Sequence, residues 1–276
     1  MILSPIDRRV RIVKCTSALS PSGLPEFDYS LNPYTGCGHG CLYCYAPDII
    51  RHKRAVDWGE WVEAKGNISR VLKREIRRLE RGTIGLSSVT DPYQPVEERL
   101  FLTRSCLEVL RSTDFPLIIM TKSPLIARDF DILKEIEEVK LWVTISTSND
   151  ALARVIEPRA APPTRRLQLL KDAEKAGFDT TAMISPAIIS TDDSNAEILD
   201  LVDKISNTGC RNVFIDALRL RSTAETRIHN FIELKGGNKD LDIVSLFDNS
   251  SSFRPCGLEQ LLSRRYPGVR FEIFGR

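Results

Sequence analysis

Asn32-Pro33-Tyr34-Thr35-Gly36-Cys37-Gly38-His39-Gly40-Cys41-Leu42-Tyr43-Cys44-Tyr45 places three cysteines at a C-x3-C-x2-C spacing, with glycines between them and an aromatic residue just before the last. Gly36, Gly38 and Gly40 suit a loop that wraps closely around a bound group, because glycine tolerates positive φ. Three cysteines and His39 would also make a Cys3His zinc site. Against that, all four lie between residues 37 and 44, whereas structural zinc sites draw on two separated pairs of ligands. A disulfide reading is weaker, since three clustered cysteines cannot all pair.

Outward from this loop the chain alternates between short apolar runs and helical periodicity. Residues 29–35 lead into the loop as a first strand. Residues 67–81 predict a helix, with Ile68, Val71, Leu72, Ile76 and Leu79 on one face and Gly82 as a stop. Strands are expected at 83–88, 116–120, 140–145, 179–184 and 212–218. Helices are expected at 100–112, 126–137, 164–176 and 195–206. Such βα alternation predicts parallel strands with helices outside them. Residues 1–28 contain Pro5, Pro21 and Pro25 and read as an N-terminal extension. Residues 29–222 form the main unit. Residues 223–276 have weaker periodicity and read as a helical cap or small appendage.

Four polar segments fall where strands should end, the face on which parallel α/β folds do their chemistry. Ser87 to Glu97 (SSVTDPYQPVE) is rich in hydroxyls and carboxylates and suits a zwitterionic ligand, though Asp91-Pro92 alone makes a turn. Lys122, in Met120-Thr121-Lys122-Ser123-Pro124, can pair with a carboxylate as a point charge, or stand exposed. Thr144 to Asp150 offers Ser146 as a ligand hydroxyl and Ser148 or Asn149 as a helix N-cap. Glu157-Pro158-Arg159, followed by Arg165 and Arg166, can grip a carboxylate or phosphate or form a surface ion pair.

The cysteine loop resembles that of the radical S-adenosylmethionine (SAM) superfamily. The later segments, in order to Pro186, look like its spore photoproduct lyase-like branch. The resemblance implies a partial (β/α)6 TIM-type barrel. It also implies a [4Fe–4S] cluster on Cys37, Cys41 and Cys44, whose fourth iron is chelated by SAM, and reductive cleavage of SAM to a 5′-deoxyadenosyl radical. By the same resemblance Tyr43 packs on the adenine, and Thr90, Lys122 and Ser146 hold the methionine part. The segment Ala182 to Pro186 falls where the fifth strand supports adenosine. One departure matters. The true lyases carry a hydrogen-donating cysteine at the end of the second strand, where this chain has Ser88, and a serine O–H bond is too strong for that role. Cys106 reads as core, and Cys256 follows Pro255 in the irregular C-terminal part.

A net charge of +2 makes no global case for nucleic-acid or membrane binding. Arg51-His52-Lys53-Arg54, just after the cysteine loop, is the local candidate for nucleic acid. The arginines of the 67–81 helix read better as a solvated face, partly balanced by Glu75 and Glu80. No apolar run approaches the ~18–20 residues needed to span a bilayer. No signal-peptide pattern stands at Met1–Val10. Seven cysteines in 276 residues make no secreted disulfide framework. The expected compartment is the cytoplasm, and the expected partner an electron donor such as flavodoxin or ferredoxin. The sequence leaves the substrate open: a nucleic acid or nucleotide is one option, a small molecule or a protein side chain the alternative, and a non-enzymatic zinc scaffold comes last.

Overall fold

The computed structural model describes residues 9–190, 194–235, 243–253 and 257–274. Cys256 and the first eight residues lie outside them. Seven strands run parallel in one sheet, in chain order: β1 (Tyr29–Leu31), β2 (Ile84–Leu86), β3 (Leu117–Thr121), β4 (Val139–Thr144), β5 (Asp179–Ala187), β6 (Asn212–Ala217) and β7 (Arg270–Phe274). An antiparallel strand, Leu19–Pro21, edges β1. Among the described residues the two edges do not pair, so the sheet does not close into a barrel.

The first six strands are those expected from the sequence. The seventh arises from residues where periodicity gave no strand: Val213 pairs with Phe271 and Ile215 with Ile273. The expected 29–35 strand is split. Pro33 has no N–H to give a ladder, and beyond it Tyr34–Thr35 joins a second sheet with Val62–Lys65 and Val10–Val13. That small sheet takes in the chain on both sides of the cysteine loop.

Side-chain alternation divides the two faces of the main sheet. In β4, Leu141 and Val143 are buried toward the outer helices, while Lys140, Trp142 and Thr144 are half-buried on the opposite face. The outer layer packs Ile68, Val71 and Leu72 of Ile68–Glu75, Leu107 and Leu110 of Leu102–Leu110, Leu169 and Leu170 of Pro163–Ala176, and Leu201 and Val202 of Ser194–Ser206 into one core. Pro163–Ala176 ends where expected, on Gly177 at φ 86°. Cys106 is fully buried in this core.

Helix Ser222–Lys235 packs on Ala46–Ile50 and on the turn Ala55–Asp57, beside the cysteine loop. Ile228, with Ile243, Leu246 and Phe247 of helix Ile243–Ser252, shares a cluster with Cys41, Leu42 and Tyr43. No helix of the described residues is long and apolar enough to cross a membrane.

Candidate cluster and cofactor site

The cysteine loop is built around two left-handed glycines. Gly36 has φ 84° and Gly40 has φ 67°, whereas Gly38 needs no positive φ. A Cβ at Gly36 would sit 2.6 Å from the Trp61 carbonyl oxygen, and one at Gly40 would sit 2.9 Å from Arg159 Nη2. The loop backbone is then pinned by side chains from elsewhere. Thr90 Oγ1 donates to the Gly36 carbonyl at 2.6 Å, and Gln94 Nε2 reaches the same oxygen at 3.3 Å. Gly38 N–H donates to Gln94 Oε1 at 2.7 Å. Arg159 Nε donates to the Gly38 carbonyl at 2.6 Å, and its other nitrogens bind the Gly59 carbonyl and, at 3.0 Å, Glu60 Oε1. Arg159 is thus a clamp on the loop, with its guanidinium occupied, and not an open grip for an anion.

Cys37, Cys41 and Cys44 are all free thiols. Cys37 and Cys41 are each 7% exposed, and Cys44 is half-buried. Burial raises the pKa of all three, Cys37 well above the usual thiol value and Cys41 to about 12, while the nearby Arg227 charge works the other way at Cys44. Among the described residues no three His, Cys, Asp or Glu side chains converge as they would on a single metal ion. His39, buried beneath the loop, faces Asp91 instead, with Nδ1 3.5 Å from Oδ2. Burial lowers its pKa despite that carboxylate. This geometry counts against a Cys3His zinc site.

Beside the cysteines lies a buried polar network at the strand ends. Tyr43 Oη is 2.9 Å from Ser146 Oγ and donates to Glu157 Oε1. Arg166 Nη2 donates to Glu157 Oε2, and its Nη1 and Nε reach the Thr144 and Ala161 carbonyls at 3.1 and 2.6 Å. Lys122 Nζ stands 4.0 Å from Glu157 Oε1 and 5.8 Å from the centre of the Tyr43 ring. Burial acts to raise the Glu157 pKa, but Arg166 and Lys122 outweigh it and hold the carboxyl below its ordinary value. Asp91 ties the second and third strand ends together, accepting from Thr121 Oγ1 and from Lys122 N–H, both at 2.8 Å.

Of the expected ligand-binding residues, Tyr43, Lys122 and Ser146 therefore meet around one carboxylate, while Thr90 sits apart on the Gly36 carbonyl. Asn149 caps Asp150–Ile156, accepting from Ala151 and Leu152 N–H at 2.9 and 3.1 Å. Glu157 and Arg166 stood in the sequence as one option among several, and Gln94 as one letter of a polar run. Arg227 was missed. Its signal is a charge on the Ala224, Ile228, Phe231 stripe, where i, i+3, i+4 spacing calls for an apolar residue. In the basic run Arg51, Lys53 and Arg54 are all exposed; His52 stacks on Trp61 at 4.0 Å and Arg54 pairs with Asp57 at 3.5 Å.

Comparison with known proteins follows the same outline. An uncharacterised protein of Mycobacterium tuberculosis is 32% identical over 223 residues, covering 76% of this chain and 65% of that protein, so the chain spans just under two-thirds of that relative. A protein of Pseudomonas phage M6 described as a radical SAM Nalpha-GlyT isomerase is 21% identical over 189 residues, 67% of this chain and 39% of that one. Spore photoproduct lyase complexed with dinucleoside spore photoproduct shares the fold, with a TM-score of 0.69 at 14% identity over 96% of this chain and 82% of the lyase. The sequence model of the Radical SAM superfamily matches residues 31–202, which carry the cysteine loop and β2–β5. The chain belongs to the radical SAM superfamily.

Proposed function

We propose that this protein is a radical SAM enzyme that holds a [4Fe–4S] cluster on Cys37, Cys41 and Cys44 and cleaves SAM reductively. The observation that carries this reading is the set of three free, largely buried cysteines at C-x3-C-x2-C spacing on one pinned loop. By donor chemistry the residues fit a cubane: Cys37, Cys41 and Cys44 would supply three thiolates, one short of the usual four, and SAM would serve the remaining iron. Loss of three thiol protons in so buried a place also needs a cationic centre to accept the thiolates. When bound, the pair supplies one-electron cleavage of the sulfonium and a carbon radical for hydrogen abstraction.

This chain's residues do the rest. Lys122, at the end of β3, offers an ammonium to the methionine carboxylate. Ser146 and Tyr43 line the same side, and Glu157 with Arg166 fixes the Tyr43 phenol. Thr90 and Gln94 hold the Gly36 carbonyl, and so the loop. The electron comes from a low-potential carrier such as flavodoxin or ferredoxin, in a reducing cytoplasm.

For substrate class we favour a nucleic acid or nucleotide. Exposed Arg51 and Lys53 beside the cluster loop support it, as does the dinucleoside bound by the lyase of the same fold. Anaerobic reconstitution tests the enzyme reading. Expected are a brown protein with about four irons per chain, and 5′-deoxyadenosine formed from SAM on reduction. A colourless, zinc-loaded protein that leaves SAM intact would refute it. Salt-dependent retention on single-stranded RNA or DNA, lost on R51A/K53A, tests the substrate class; salt-independent or absent retention would count against it.

A further inference from the structure

Arg227 sits on the buried stripe of Ser222–Lys235, 7% exposed, over the cysteine loop. Its Nη2 donates to the Leu42 carbonyl and, at 3.2 Å, to the Cys44 carbonyl. Its other two nitrogens, Nε and Nη1, are buried with no hydrogen-bond partner. A guanidinium whose donors are buried and unpaired is costly to keep, so such a group calls for an explanation. Helix position alone does not supply one. The helix is anchored by its first turn, where Asp48 Oδ1 accepts from Thr223 Oγ1 at 2.7 Å, Ser222 Oγ at 3.1 Å and Thr223 N–H at 3.2 Å. The groups whose negative charge would act most strongly on the guanidinium are Cys44, then Cys41, then Asp48.

We propose that Arg227 donates its Nε–H and Nη1–H to the sulfur shell of the bound cluster on the Cys44 side, and so makes that cluster easier to reduce. This rests on the assignment of Cys37, Cys41 and Cys44 as ligands. A thiolate-held cluster gains negative charge when it takes one electron from the external carrier. Fixed donors and a buried positive charge beside its sulfurs stabilise that reduced form more than the oxidised one. Arg227 is a positioning and tuning residue in this scheme. It clamps two carbonyls of the loop with one nitrogen and leaves the other two buried and free to donate.

The test is a redox titration followed by electron paramagnetic resonance, without SAM, on the wild-type protein, R227Q and R227K, with iron and sulfide measured per chain. R227Q removes the charge but keeps an amide for the loop carbonyls. Its reduction equilibrium should move about tenfold toward the oxidised form, about 59 mV lower for a one-electron couple, at unchanged iron content. R227K keeps the charge without the forked donors and should move less, in the same direction. Unchanged midpoints in both variants would overturn the proposal. They are the result expected if Nε and Nη1 instead turn onto Asp48 Oδ2, which is also buried without a partner. Lower iron content with the remaining clusters at the wild-type midpoint would overturn it too, reducing Arg227 to a loop clamp. If R227Q loads no cluster, R227K decides alone by the same criterion. Absence of a cluster in the wild-type protein would instead strike the ligand assignment.

Discussion

Lys122 Nζ lies 4.0 Å from Glu157 Oε1, joining the end of β3 to the segment after helix Asp150–Ile156 at the mouth of the sheet. Glu157 is fully engaged by Arg166 and Tyr43, while Lys122 has this one distant carboxylate and keeps ammonium donors for a ligand. On the proposed reading, a carboxylate brought in by SAM would meet Lys122 Nζ, which Glu157 and the Tyr43 ring hold at the strand end.

Lys122→Ala should therefore weaken SAM binding by about ten- to a hundredfold, the range of a hydrogen bond to a charged group. Iron content should not change. Equilibrium dialysis with labelled SAM on the reconstituted protein checks both. Wild-type affinity in the variant would remove Lys122 from the site.

Replacing Cys37, Cys41 or Cys44 by alanine should remove most cluster iron and all SAM cleavage. Replacing Cys106, buried in the core far along the chain, should cost stability and leave cluster content intact. Iron and sulfide analysis with deoxyadenosine measurement separates the two groups. Normal SAM cleavage by any of the three loop variants is incompatible with the ligand assignment.

Glu157→Gln breaks a buried ion pair and leaves Arg166 charged with a weaker partner. The expected loss is about 3 kcal/mol in urea unfolding near neutral pH. The sign with pH follows from a carboxyl pKa held below its ordinary value: the stabilisation is present above the unfolded pKa and disappears as pH falls through the folded one. The gap between wild type and E157Q should then narrow in acid. A gap that widens in acid would mean that Glu157 is protonated at neutrality.

Ser88 donates to Ser30 Oγ at 3.2 Å, and its carbonyl accepts from Tyr45 Oη at 2.6 Å. No thiol occupies this position. The protein should form deoxyadenosine without dependence on the dinucleotide photolesion and restore little or no thymine. An anaerobic assay with reduced, reconstituted protein decides it; efficient lesion-dependent repair would mean that another cysteine reaches the radical.

Local patterns were enough for much of this. The three-cysteine spacing, the period-3.6 stripe of Ile68, Val71, Leu72 and Ile76, the apolar runs of the first six parallel strands and the Gly177 stop are all carried by neighbours in sequence, where residue chemistry and repeat alone decide. Strand β7, Arg270–Phe274, alternates polar and apolar residues over only five positions after a stretch of weak periodicity, and its place at the sheet edge is defined by its partner β6. Lys122 was legible as a lysine at a strand end; that it faces Glu157 was not. Arg159 read equally as an anion grip or a surface ion pair until the fold brought Gly38, Gly59 and Glu60 to its donors.

The sequence by itself determined the family, the cysteine loop and the first six parallel strands along the chain, because each is written in short-range spacing. Tertiary structure alone decided which polar groups share one buried network. Tyr43, Lys122, Ser146, Glu157 and Arg166 come from separate segments, and only the parallel register of the strands sets their ends side by side. The same holds for Arg227, whose place over Leu42 and Cys44 is fixed by how its helix packs on the loop. Burial, which converts an ordinary charge into one that must be paired, is a property of that packing and of no single stretch of chain.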